Sequence, residues 1–222
     1  MKNFLCISNF NNDVSWVKEY DNPYIIYDRS DTNLNLDGLN VIKSPNVGYN
    51  IYDMMTFIID NYQNLPEYTT FIKGNVFPRH VSKEVFESLM NNKFFTPIFD
   101  YKLHNPNMPI CMFSSDGYFS EINNSWYMYT SHPKKYFNSY NDFLNFIFEE
   151  PFHPNYVTFA PGGNYVVPKH NILKYNIEFY KNLRTFVEYE TLPIEAHIVE
   201  RSLYTIWLGN FKINNKMLHE IN

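Results

Sequence analysis

Glu195, His197, Glu200, Arg201 and Tyr204 crowd one short stretch that also carries Ile194, Ile198, Leu203, Ile206 and Trp207 at helical spacing. On a helix His197, Arg201 and Tyr204 share a side, and Glu200 lies beside them. A carboxylate set among such groups can take a proton from a hydroxyl, which makes Glu200 the first candidate for a general base and Glu195 the second. The plainer reading is a solvated charged face with internal ion pairs. Other chemistry-bearing residues close short apolar runs. Asn9, Asn11 and Asp13 follow Phe4 to Ile7, Asp28 follows Tyr24 to Tyr27, and Lys73, Gly74 and Asn75 follow Tyr68 to Ile72. In open α/β sheets the carboxyl ends of the strands border the ligand crevice, so these ends are expected to meet at one site, with Asp28 placed to take a ribose hydroxyl. Each also has an ordinary structural role: Asn and Asp cap turns, and a lysine at a strand end is common.

The elements that must position these residues centre on 44–75. Asn46, Val47 and Gly48 read as a turn, and Asn50 with Asp53 three residues later reads as a helix cap, so a helix is expected from about Ile51. Ile51, Met54, Met55, Ile58 and Tyr62 give that helix one apolar side, which needs a sheet to lie against, and Leu65-Pro66 stops it. Tyr68 to Ile72 then form a β-branched and aromatic interior strand. Val41 to Lys43 is a third early strand. Ser82 caps a further helix, as does Ser139 with Asp142. Short aromatic runs broken by prolines between Phe94 and Ser131 indicate irregular strands and long loops. Tyr156 to Phe159 and Tyr165 to Val167 read as strands flanking Gly162, Gly163 and Asn164. One helix is expected from Pro168 through Leu183, and a last one opens at Pro193 and closes at Gly209. The class expected is α/β, as one domain over 1–222.

Composition narrows the function classes. The chain has 222 residues, 45% of them hydrophobic and 19% aromatic, far from a disordered composition. A net charge of −5 disfavours phosphate-backbone binding overall without excluding a local basic patch, so a nucleic-acid acceptor is disfavoured rather than excluded. Cys6 and Cys111 are too few for a disulfide framework and have no zinc-like spacing, which fits a reducing, cytoplasmic setting. No segment approaches the about 18 apolar residues of a membrane span.

Four blocks carry a resemblance: SNFNNDVSW from Ser8, NVGYNIYDMMTFIIDNYQNLPEYTTFIKGNVF, FAPGGNYVVPKHNIL and AHIVERSLYTIW. In this order they resemble a family of proteins of unknown function whose members look like small type A glycosyltransferases. The resemblance runs from about Phe4 to Phe211, with little in Phe94 to Asn155, and the sequence departs from it at Tyr49 and Thr205. It implies a Rossmann-like αβα sandwich around a mixed, mostly parallel sheet. It also implies a nucleotide-sugar donor bound at the strand ends and a glycan or other hydroxyl acceptor.

On that resemblance the loop with Asn9, Asn11 and Asp13 would hold base and ribose, together with Asp28. Metal-dependent enzymes of this fold keep an Asp-x-Asp pair where this chain has Lys73, Gly74 and Asn75. A lysine there can neutralise a leaving diphosphate, so no metal cofactor is expected; the alternative is Mn or Mg, with Asp116 as the fallback carboxylate. Gly162, Gly163 and Asn164, with His197 and Arg201, would form an acceptor or sugar-binding loop, although a tight bend alone also explains the glycines. The rival function is a non-catalytic glycan- or nucleotide-binding module on the same scaffold.

Overall fold

The computed structural model describes residues 1–32, 35–104, 108–114 and 117–219. Its main sheet has six strands in the order β3-β2-β1-β4-β9-β5, formed by β1 (Phe4–Asn9), β2 (Tyr24–Asp28), β3 (Val41–Lys43), β4 (Tyr68–Lys73), β5 (Thr96–Pro97) and β9 (Tyr165–Pro168). Strands β3, β2, β1 and β4 run parallel, and β9 is antiparallel to both β4 and β5. The fold is mixed α/β, as expected. Alternation along the strands sends side chains to two separate cores. Cys6, Tyr27, Phe71, Tyr165 and Val167 join one, while Leu5, Ile7, Ile26, Ile72 and Val166 join the other. The inner strands β1, β4 and β9 are therefore buried on both faces, which accounts for their near-continuous runs, while β3 at the edge is largely exposed.

The first core is closed by α1 (Tyr49–Asp60), α4 (Tyr140–Ile147), α6 (Ile177–Thr185) and α7 (Ile194–Leu208). The second is closed by α3 (Lys83–Leu89) and the 3-10 turn Ser15–Glu19. A second sheet is antiparallel and three-stranded, in the order β6 (Cys111–Phe113), β7 (Phe119–Ile122), β8 (Tyr156–Thr158). The strand read at Tyr156 to Phe159 belongs here and not to the main sheet. None of the helices among the described residues is long and apolar enough to cross a membrane.

Local expectations divide informatively. The Ser82 and Ser139 caps form as read, accepting from Val85 N at 3.4 Å and Asp142 N at 3.0 Å. Asn50 does not cap α1. The cap is Gly48 at φ 59°, where an added Cβ would meet Val187 O at 2.8 Å, so only glycine fits. Helix α1 also ends earlier, at Asp60, with a 3-10 turn at Tyr62–Asn64 before Leu65. The helix expected from Pro168 to Leu183 is broken into α5 (Lys169–Ile172) and α6, because Asn176 caps a new start by accepting from Phe179 N at 3.1 Å.

Candidate active site

Parallel pairing puts three strand ends at one level, with Asn9 opposite Asp28 and Ser8 opposite Lys73. Above them lies a cleft of about 370 Å³ lined by Ser8, Phe10, Asn12, Arg29, Asn46, Tyr49, Lys73, Asn75, Arg79, Thr191 and Leu192. Three of these residues are cations and none is a carboxylate. Arg29 is anchored from below by Asp53 of α1 at 2.9 Å, and Asp53 also accepts from Ser8 Oγ and from Ser44 Oγ at 2.6 Å. Asp53 was read as part of a helix cap; it is instead the fully buried tie between α1 and two strand ends. Burial pushes its carboxyl up, against Arg29 and both hydroxyls. Lys73 and Arg79 form no ion pair among the described residues. Lys73 Nζ lies 5.7 Å from the centre of the Tyr49 ring. Burial lowers its pKa, Glu200 raises it, and Arg79, Arg29 and Arg201 lower it again, leaving it below the ordinary lysine value.

A second cavity, of about 400 Å³, is lined by His104, Ile110, Cys111, Phe119, Glu121, Trp126, Phe159, Pro161, Gly162, Glu200 and Arg201. Glu200 thus faces this cavity while sensing Lys73, which faces the first. Its Oε1 accepts from Gly162 N at 2.8 Å. Burial raises the Glu200 carboxyl, but Lys73, Arg201, His197 and the Gly162 N–H together hold it below the ordinary glutamate range. The group is an anion at neutral pH.

Of the residues read from the sequence, Lys73 and Asn75 line the first cavity, and Glu200, Arg201 and Gly162 line the second. Asn9, Asn11, Asp13 and Asp28 lie outside the lining of the first. Asn9 is fully buried, with Nδ2 donating to Asp28 Oδ1 at 3.1 Å and to Asn12 O at 3.2 Å. Asn11 is on the surface, donating to Asp31 Oδ1 at 2.6 Å, and Asp13 caps the next turn by accepting from Ser15 N at 2.8 Å. Asp28 is occupied by Ser30, Asn9 and Lys43, the last at 3.1 Å. Removing a carboxylate with this many donors leaves them unsatisfied, so Asp28→Ala should cost about 1–3 kcal/mol in urea unfolding. An unchanged midpoint would show that these bonds contribute nothing.

Gly74 has a packing reason to be glycine, since a Cβ there would collide with Asn9 Oδ1 and lie 2.9 Å from Val14. Glu195 is fully buried on α7 and held by the N–H groups of Lys135 at 2.9 Å and Tyr136 at 2.6 Å and by the Tyr189 hydroxyl at 2.6 Å. It fastens the segment before α4 and reaches neither cavity. Arg201 is spent on Glu121 of β7 at 2.7 Å, joining α7 to the second sheet. His197 is buried between Tyr49 at 5.4 Å and Trp126 at 5.2 Å, and Tyr204 turns away from both cavities. Gly163 lines neither cavity, and Asn164 holds the backbone of Lys73, its Oδ1 accepting from Lys73 N at 3.1 Å. Asp116 lies outside the described residues.

Sequence reading gave no role to Arg29, Arg79, Tyr49 and His80. Arg29 alone carried a signal, being the residue after a strand-end aspartate. Buried His80 sits under the glycine loop: a Cβ on Gly162, at φ 84°, would lie 2.9 Å from its Nε2. Both ring nitrogens lack a partner among the described residues. Burial first, then Lys73, drive its pKa down to about 3. The folded value is below the unfolded value of about 6.5, so the neutral ring's contribution is fully present above pH 6.5 and is lost as pH falls towards 3. Between pH 7 and pH 5 the wild type should therefore lose about 2 kcal/mol more than His80→Asn in urea unfolding. Equal losses would show that His80 takes its proton normally in the folded state.

Among the described residues no group of three or more His, Cys, Asp or Glu side chains is arranged to hold a metal. No curated protein and no solved structure matches this chain. Residues 5–220, which include both cavities and the Lys73 and Glu200 pair, match a family described as "Protein of unknown function (DUF3431)", and the chain belongs to that family.

Proposed function

We propose that this protein is a glycosyltransferase, moving a sugar from a nucleotide-sugar donor to a hydroxyl acceptor on a type A-like αβα scaffold. The observation that carries the reading is the first cleft, a concavity at parallel strand ends lined by Arg29, Lys73 and Arg79 with no carboxylate. Such a site suits a diphosphate, with Phe10, Asn12 and Asn46 on the wall available to base and ribose. The acceptor oxygen attacks the anomeric carbon and its proton passes to Glu200. The bond from that carbon to the diphosphate oxygen breaks, and the electron pair leaves with the diphosphate, stabilised by Lys73 and Arg79. Donor phosphates that pair with Lys73 also remove the charge that depresses Glu200, making the carboxylate a stronger base once the donor is bound.

The test is a screen of nucleotide sugars for released nucleoside diphosphate without acceptor, beside calorimetry with nucleoside diphosphates. Binding with slow donor hydrolysis is the expected result. Binding without any turnover would favour the non-catalytic module, and no binding would sink both. Because cationic side chains neutralise the leaving group in this reading, a chelator should leave turnover intact. Loss on chelation with recovery on added manganese or magnesium would overturn the metal-free form.

A further inference from the structure

The second cavity differs from the first in charge and in lining. Among the described residues its one cation, Arg201, pairs with Glu121 at 2.7 Å, and Glu200 is the lining carboxylate that forms no ion pair. Two carboxylates and one arginine in this lining, against three cations and no carboxylate in the first, favour a neutral occupant over an anionic one. Its walls are aromatic: Phe119 meets Phe159 edge to face at 5.4 Å, and His104 lies 5.8 Å from Phe119. The Arg201 guanidinium stands 4.7 Å from the Phe159 ring centre and 5.7 Å from that of Trp126, so one buried ion pair fixes both rings. Trp126 is half exposed at the mouth. Polar side chains in the lining include Glu200 and His104.

We infer that this cavity binds a neutral saccharide, which stacks on Trp126 and the Phe119 and Phe159 walls and presents one hydroxyl to Glu200. As the acceptor assignment, this rests on the glycosyl-transfer reading. A pyranose ring offers a C–H face that packs on an aromatic ring and a rim of hydroxyls that need hydrogen-bond partners. The rings and the Glu200 carboxylate supply both requirements. A purely apolar chain would desolvate the Glu200 carboxylate and offer it no further donor.

The experiment titrates the protein with neutral trisaccharides alone, comprising β-1,4-linked glucose, β-1,4-linked N-acetylglucosamine, α-1,4-linked glucose and β-1,4-linked mannose. It reads tryptophan fluorescence and calorimetry. At least one should bind and perturb the fluorescence, and Trp126→Ala should weaken it by about tenfold. Tyr129→Ala, an exposed aromatic outside the lining, should leave binding unchanged in a protein with a normal melting curve. If none binds, or if Trp126→Ala has no effect on binding, the inference is wrong. No donor is needed for this measurement, so failure of the glycosyl-transfer reading would appear separately, as absent nucleoside diphosphate binding.

Discussion

Glu200→Gln should reduce sugar transfer by about 10²- to 10⁴-fold while nucleoside diphosphate affinity stays near that of the wild type. The amide keeps the size of the side chain, and its carbonyl can still accept from Gly162 N, whose 2.8 Å bond fixes the turn beneath the second cavity. What is removed is the capacity to take a proton from a hydroxyl. The wild-type carboxylate is ionised well into the acid range, because Lys73, Arg201, His197 and the Gly162 N–H outweigh burial. The proton-accepting limb of the pH profile should therefore be missing in the variant. A variant that transfers sugar at close to the wild-type rate would make Glu200 a structural anchor of the Gly162 turn.

Lys73→Met should reduce turnover by about 10²- to 10³-fold, the usual cost of losing one group that stabilises developing charge. Methionine has a similar shape and still packs beside Tyr49, and the backbone bond from Lys73 N to Asn164 Oδ1 does not involve the side chain. A second readout separates electrostatics from packing. Lys73 leads the charges that lower the Glu200 pKa, so removing it should raise that pKa and move the acid limb of kcat/KM to higher pH. If turnover falls but the limb stays in place, the two groups are not coupled as their positions imply.

The early strands, helix α7 and the serine caps were legible because each depends on local pattern. Apolar runs at Phe4 to Ile7, Tyr24 to Tyr27 and Tyr68 to Ile72 need no partner to be recognised, and Pro193 and Gly209 bracket α7 as start and stop residues in the sequence. The idea that Lys73 and Glu200 carry chemistry came from the same level, since one closes a strand and the other sits on a crowded helix. Local reasoning misplaced the α1 cap because the choice lay with Val187, far along the chain, which leaves room only for Gly48.

Most of the site's division of labour was decided by tertiary structure. Asn9, Asp28, Glu195 and Arg201 were as plausible from sequence as Lys73 and Glu200, because residue type and strand-end position are shared by all of them. Packing distinguished them by supplying partners. Asp28 received Ser30 and Lys43, Glu195 received three backbone N–H groups and a tyrosine, and Arg201 received Glu121 from 80 positions away. Lys73, Arg79 and Glu200 face cavities without an ion pair among the described residues, whereas Arg29, Glu121 and Arg201 in the same linings are paired. An ionisable group is free to act on a ligand only when the fold has not already satisfied it, and that depends on long-range contacts. Local pattern set most elements and the kinds of groups at their ends, and long-range packing chose which of those groups remained for a ligand.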